Sequence, residues 1–190
     1  MANALQRYSV HLANGTSVLI RPVLPQDKEM QQAFVRYLSD EARYFRFMTG
    51  LTEMPDAMAD YFTRIDHYSH VAVIGEVGTP AGSMMIAEAR YVVDQNAPDA
   101  CEFAVAVADS WQGMSLAYTM LLRLADHALS SGIRRMIGDT VATNQPMLRL
   151  AKRCGFRIRH KKEDGRLISL VWDLRPRERY GQASNVFACA

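Results

Sequence analysis

Seven residues, Trp111-Gln112-Gly113-Met114-Ser115-Leu116-Ala117, join an apolar strand-like run, Cys101 to Val107, to a long amphipathic helical pattern from Leu116 to about Ser131. Met120, Leu121, Leu124, Ala128 and Leu129 share one face of that helix, and Gly132 stops it. A strand, a short Gly/Ser loop and a helix point several backbone N–H groups at one place. The N–H groups of a first helical turn have no partner within the helix, and the helix dipole favours negative charge there. The loop therefore reads as a seat for a phosphate or pyrophosphate.

The remaining residues narrow what owns that phosphate. A length of 190 residues suits one compact domain with a real core. The three cysteines, Cys101, Cys154 and Cys189, show no paired spacing, which argues for a reducing compartment rather than a disulfide scaffold or a zinc site. No apolar run approaches the roughly 20 residues of a membrane span, and the N-terminus has no signal-peptide core. A cytoplasmic location is expected. From Ile133 onward there are 13 bases and 5 acids in a chain whose net charge is only +2, so the C-terminal part is strongly basic. A basic half beside a phosphate seat suits a polyanionic ligand. Nucleic acid is disfavoured, because no aromatic residues interleave the bases.

The periodicity predicts a mixed α/β order. Tyr8 to Pro22 reads as a hairpin around Asn14-Gly15. Helices are predicted over Gln26 to Leu38, from Ser39 through Phe47, and from Thr52-Glu53-Met54-Pro55 to near Ile65. Strands are predicted over Val71 to Val77, Ala81 to Val93 and Cys101 to Ala108, with a loop over Asp94 to Asp99. A strand over Arg135 to Val141, a helix from Asn144 to Cys154 ended by Gly155, and a hairpin of Phe156 to His160 with Leu167 to Leu174 around Glu163-Asp164-Gly165 complete the domain. The domain is expected over 1–175, with a flexible tail over 176–190. A dinucleotide fold would need G-x-G-x-x-G after the first strand of a parallel unit, whereas this loop has one glycine and follows a late strand.

This arrangement resembles the GNAT N-acetyltransferase superfamily over roughly Val18 to Leu174. Gln112-Gly113-Met114-Ser115-Leu116-Ala117 corresponds to its acetyl-CoA signature, [Q/R]-x-x-G-x-[G/A]. Asn144 opens the next helix, and Cys154-Gly155-Phe156 matches its "x-G-F" ending. Leu19-Ile20-Arg21-Pro22, Ser39 to Phe47 and Glu102-Phe103-Ala104-Val105 look like the acetyltransferase domain of the bacterial Pat-type protein lysine acetyltransferases. Those proteins usually carry a large nucleotide-binding-like portion as well. The resemblance implies an α+β domain whose mostly antiparallel central sheet is flanked by helices. It also implies acetyl-CoA as acyl donor and an amine, a protein lysine or a small molecule, as acceptor. A catalytically silent acyl-CoA-binding sensor is the alternative. Oligomer formation is left open.

An amine acceptor needs a base, directly or through water: neutralising a lysine-like ammonium of pKa about 10.4 at pH 7 costs about 4–5 kcal/mol. Strand alternation puts Glu102, Ala104, Ala106 and Ala108 on one face, a carboxylate above small side chains, and Cys101, Phe103, Val105 and Val107 on the core face. The resemblance makes Glu102 the general base, with Glu88 and Glu76 as alternatives on neighbouring strands. It assigns the oxyanion and pantetheine contacts to the main chain of Val105, Ala106 and Val107. The phosphate contacts go to Gln112, Gly113, Met114, Ser115, Leu116 and Ala117, and a further cofactor contact to Asn144. Ser115 stands where the family keeps glycine, so a left-handed backbone there would be strained. Ala151 stands where many members place an acidic tyrosine; Tyr118 or a water is the substitute. His67 and His70 lack a third partner for a metal, and no metal is expected. His127 is expected on its helix surface and Cys154 as a buried helix-end residue before Gly155. Tyr44, Phe45 and Phe47 are expected to line an acceptor cleft or pack in the core.

Overall fold

The computed structural model describes residues 5–161 and 165–176. Strands β1 (Tyr8–His11) and β2 (Ser17–Pro22) form the Asn14-Gly15 hairpin, in which Gly15 takes φ +82°. Three helices follow: α1 (Lys28–Tyr37), entered through a 3-10 turn at Pro25–Asp27; α2 (Asp40–Phe47), capped by the Ser39 hydroxyl on the Ala42 N–H at 3.2 Å; and α3 (Asp56–Thr63). Strands β3 (His70–Thr79), β4 (Gly82–Asp94) and β5 (Ala97–Val107) make an antiparallel meander. The chain then runs through α4 (Leu116–Ser130), β6 (Arg135–Val141), α5 (Gln145–Cys154), β7 (Arg157–His160) and β8 (Leu167–Asp173). The expected tail lies, apart from Pro176, outside the described residues, as do Glu163 and Asp164 of the last turn.

One eight-stranded sheet has the order β1-β2-β3-β4-β5-β6-β8-β7 and is antiparallel except between β5 and β6. Helices α1 to α3 cover one face, where Phe34, Val35, Leu38, Ala59 and Phe62 pack on Ala72, Ile74 and Met85. On the other face α4 places Leu116, Met120, Leu121 and Leu124 against Val73, Ala87, Ala89 and Tyr91, with Ala151 of α5 in the same core. Arg21 ties the N-terminal strands to the helical layer: its guanidinium forks onto Asp27 at 2.7 and 2.8 Å and also donates to Glu76 at 2.8 Å. No helix of the described residues is long and apolar enough to cross a membrane.

Three local expectations change. The expected loop over Asp94 to Asp99 shrinks to a turn, because β5 starts at Ala97 and pairs with Asp94 beyond a register shift. His127 is buried rather than on the surface, because its Nδ1 meets the Tyr91 hydroxyl at 2.9 Å inside the α4–sheet contact. Cys154 is half-buried rather than fully buried, since it ends α5 beside Gly155.

The β5–β6 pairing positions the site. It has three rungs, Ala100 with Arg135, Cys101 with Met136 and Glu102 with Ile137, and then the strands part. The Phe103 ring fills the space opened beside them, resting on Gly138 and reaching Phe156 at 4.9 Å between centroids, which in turn meets Trp172 at 4.9 Å. A Cβ at Gly138 would lie 2.7 Å from the Phe103 ring. Gly138→Ala is therefore expected to destabilise the protein by about 1–3 kcal/mol. Denaturant midpoints check this, and an unchanged midpoint would mean that the ring moves freely.

Candidate functional site

Where β5 and β6 part, a cleft of about 570 Å³ opens between these strands, the start of α4, α5 and one side of α2. Beyond Glu102 no rung joins β5 to β6, so the main-chain groups of Phe103 to Val107 that point that way have no sheet partner in β6. They form a strand edge inside a cleft, able to pair with amides of a ligand or hold a developing oxyanion. Val105, Ala106 and Val107 all line it, as do Ala104 and Gln112. The Gln112 side chain donates to the Val107 carbonyl at 3.1 Å and so closes the loop onto the strand.

The loop itself turns through two left-handed residues, Gly113 at φ +76° and Ser115 at φ +61°. Ser115 is the N-cap of α4, but its hydroxyl makes no capping bond; it accepts instead from Arg153 of α5 at 3.0 Å. The structure thus has the left-handed, strained backbone that the sequence comparison with the family raised for this serine. The first-turn N–H groups around Leu116 and Ala117 are left to an outside partner. Leu116 buries its side chain in the core, so only its main chain faces outward, and Met114 packs on the same core rather than lining the cleft. Ser115→Gly removes the strain and the Arg153 contact together. A net gain of about 0.5–1 kcal/mol is expected, seen as a Tm rise of roughly 1–4 °C. A fall in Tm would mean that the Arg153 bond outweighs the strain.

Two arginines missed by motif reading stand beside this loop. Arg149 and Arg153 line the cleft one helical turn apart on α5, and the Arg153 guanidinium lies 3.9 Å from the centre of the Tyr118 ring. Their spacing of four in a helix that follows the signature was the available signal. Asn144 caps α5 by accepting the Met147 N–H at 3.1 Å and donates to Thr140 at 3.0 Å; it also lines the cleft. Tyr118 lines the cleft, whereas Ala151 is fully buried.

Glu102 is exposed and sits at the apex of the parting strands, on its last rung, sharing a face with Ala104 and Ala106. The cleft lining starts one residue later, at Phe103. The two alternative glutamates on the neighbouring strands are committed to ion pairs. Glu76 is held by Arg21. Glu88 is fully buried, and although burial alone would raise its pKa, Arg90 and Arg46 with the Gln31 amide hold it down at about 2. Its ion pairs are with Arg90 and, at 3.3 Å, with Arg46, while Gln31 donates at 2.7 Å. A carboxylate that acidic takes no proton from an ammonium. This buried cluster escaped the sequence reading. Its signal was a Glu and an Arg two apart, hence on one face, in an otherwise apolar strand. Of the three aromatic residues expected near an acceptor, Phe45 lines the cleft, Tyr44 is exposed and Phe47 packs in the core near Phe62. His70 faces Arg90, and among the described residues no three metal-binding side chains gather.

Comparison with known proteins agrees with this geometry. The sequence model of the acetyltransferase (GNAT) family matches residues 33–156. Acetyltransferase PA5475 of Pseudomonas aeruginosa is 32% identical over 145 residues, 76% of this chain and 77% of that protein. Acetyltransferase Pat of Mycolicibacterium smegmatis is 27% identical over 146 residues, 77% of this chain but only 43% of that longer protein. The GNAT domain of S. lividans PAT superposes with a TM-score of 0.79 at 26% identity, covering 88% of this chain and 97% of that one. A Salmonella typhimurium protein described as yncA, a putative acetyltransferase with its cofactor acetyl-CoA, shares the fold with a TM-score of 0.63 at 18% identity, over 84% and 95% of the two chains. With the parted strands and the helix-start loop lying inside the matched stretch, the chain belongs to the GNAT acetyltransferase family.

Proposed function

We propose that this protein transfers acetyl from acetyl-CoA to a primary amine, on a protein lysine or a small molecule, by direct attack with Glu102 as general base. The observation that carries the reading is the opening of β5 away from β6 directly onto the start of α4. One cleft thus offers a strand edge for an amide-bearing arm and a helix N-terminus for a pyrophosphate.

In this reading Gln112, Gly113, Ser115, Leu116 and Ala117 hold the pyrophosphate through main-chain N–H groups, with Met114 shaping the loop. Arg149 and Arg153 add charge at the same end of the cleft. The main chain of Val105, Ala106 and Val107 pairs with the pantetheine arm and faces the oxyanion, and Asn144 borders it from α5. The amine nitrogen attacks the thioester carbonyl, a C–N bond forms, and the C–S bond breaks to release thiolate. A thiol of ordinary pKa, about 8.5, leaves tolerably without an acid near neutral pH. Tyr118, which lines the cleft, or a water is the proton source for the thiolate in this reading. Because Glu102 stands just outside the cleft lining, it takes the ammonium proton through water.

The test is thiol release from acetyl-CoA with a panel of small amines and lysine peptides, beside calorimetric titration with coenzyme A. Turnover with at least one acceptor supports the reading. Coenzyme A binding without turnover on any acceptor would favour a silent sensor instead, and absence of binding would defeat both.

A further inference from the structure

The buried charges beside the acceptor end of the cleft do not balance. Arg46, in the last turn of α2, lines the cleft with a side chain only 9% exposed. Its Nη2 reaches Glu88 at 3.3 Å, but its Nε is buried without any hydrogen-bond partner. Glu88 is already occupied: Arg90 pairs with one oxygen and the Gln31 amide donates to the other. Two guanidiniums, which stay charged at any ordinary pH, thus share one carboxylate. His70 meets Arg90 at 2.8 Å and brings no compensating charge, being a neutral imidazole whose pKa burial and Arg90 push down to about 4. The next carboxylate, Asp66, is committed to the Tyr68 and His70 main-chain N–H groups and the Ser69 hydroxyl.

We infer that Arg46 is a carboxylate-binding position in the acceptor half of the cleft, and that the acceptor is a small amine carrying its own carboxylate, such as a free amino acid, rather than a protein lysine. This rests on the acetyl transfer proposed above and names its substrate class.

The placement fits. Glu88 stands opposite Ala106 and Arg90 opposite Ala104, and both alanines line the cleft, so the surplus charge borders the strand edge where acyl transfer is placed. A buried arginine with an unpaired Nε–H offers a planar fork that matches a carboxylate and satisfies the orphaned donor. A lysine side chain brings an ammonium on an uncharged stem, which this charge repels. An amino acid brings a carboxylate two bonds from its amine. Glu41, exposed on the cleft rim, supplies the opposite sign for the incoming ammonium.

The experiment pairs phenylalanine, leucine and alanine with their carboxamides as acceptors. It reads thiol release from acetyl-CoA and, separately, thermal melting with coenzyme A present. In the wild type each acid is expected to exceed its amide by at least tenfold in kcat/KM. Arg46→Gln brings the ratio to within about twofold, Arg46→Lys falls between, and coenzyme A affinity stays unchanged. Equal rates for acid and amide in the wild type, a preference that survives in Arg46→Gln, or a lysine peptide outpacing every free amino acid would overturn the inference. A preference for succinyl-CoA over acetyl-CoA with peptide acceptors, lost in Arg46→Gln, would move the carboxylate to the donor and also overturn it. If no acceptor turns over, melting still decides. Stabilisation by acids but not amides, lost in Arg46→Gln, keeps the site while the transfer reading fails; no such stabilisation defeats the site itself.

Discussion

Glu88→Gln is expected to destabilise the protein by about 3–5 kcal/mol, because it removes the only carboxylate between two buried guanidiniums. The glutamine fills the same volume, so the loss is electrostatic rather than a cavity effect. In a domain of this size the Tm should fall by roughly 6–20 °C. Arg90 would keep its stacking on Phe62, 3.7 Å from the ring centre, and its bond to the Phe62 carbonyl at 3.3 Å. Arg46 would keep its place over the Phe47 and Phe62 rings. Neither replaces a counter-charge. A loss under about 1 kcal/mol would show that water reaches the cluster. The same pair predicts an acid limb of stability. The folded-state pKa of Glu88 lies at about 2, below the unfolded value near 4.5, so its stabilisation is full above the unfolded pKa. It is lost progressively as pH falls from about 4.5 to about 2, and equilibrium unfolding across that window should show a limb absent from Glu88→Gln.

The elements were legible where a local rule sufficed. Asn14-Gly15 marks its hairpin, Ser39 caps α2, Gly155 ends α5, and each stands where the structure has it. The loop before β5 failed because Asn96 and Pro98 read as turn residues, while the register shift at Asp94 lets strand pairing continue past them. His127 failed because helical spacing alone cannot see a tyrosine hydroxyl arriving from another strand. The loop at Gln112 to Ala117 was readable as a loop feeding a helix start because that signal is local. The arginines around it were not. Arg46, Arg90 and Glu88 come from α2 and β4, 42 and 2 residues apart in pairs, and only the packing of α2 on the sheet makes them one cluster. Ser115 shows the same limit from the other side: its identity raised the question, and only the backbone angle of +61° answered it.

Glu102→Gln is expected to lower kcat by about 10²–10⁴-fold while leaving the fold and the donor site intact. The carboxylate is exposed on the last β5–β6 rung, so stability should stay within about 0.5 kcal/mol of the wild type. The proposed pyrophosphate seat lies at the other end of β5, beyond Val107, so the KM for acetyl-CoA should not move. A fall in kcat at constant KM is the mark of an interaction made in the transition state. A merely structural glutamate would not give the second signature, which is in pH. The base is needed because the acceptor ammonium is protonated, and that need vanishes as pH approaches the pKa of the acceptor amine. The ratio of wild-type to variant rates should therefore shrink as pH rises from 7 towards 10. A ratio that stays constant over that range would remove Glu102 from proton transfer. The base would then have to lie within the cleft, whose lining includes the exposed carboxylates Glu41, Asp109 and Asp139.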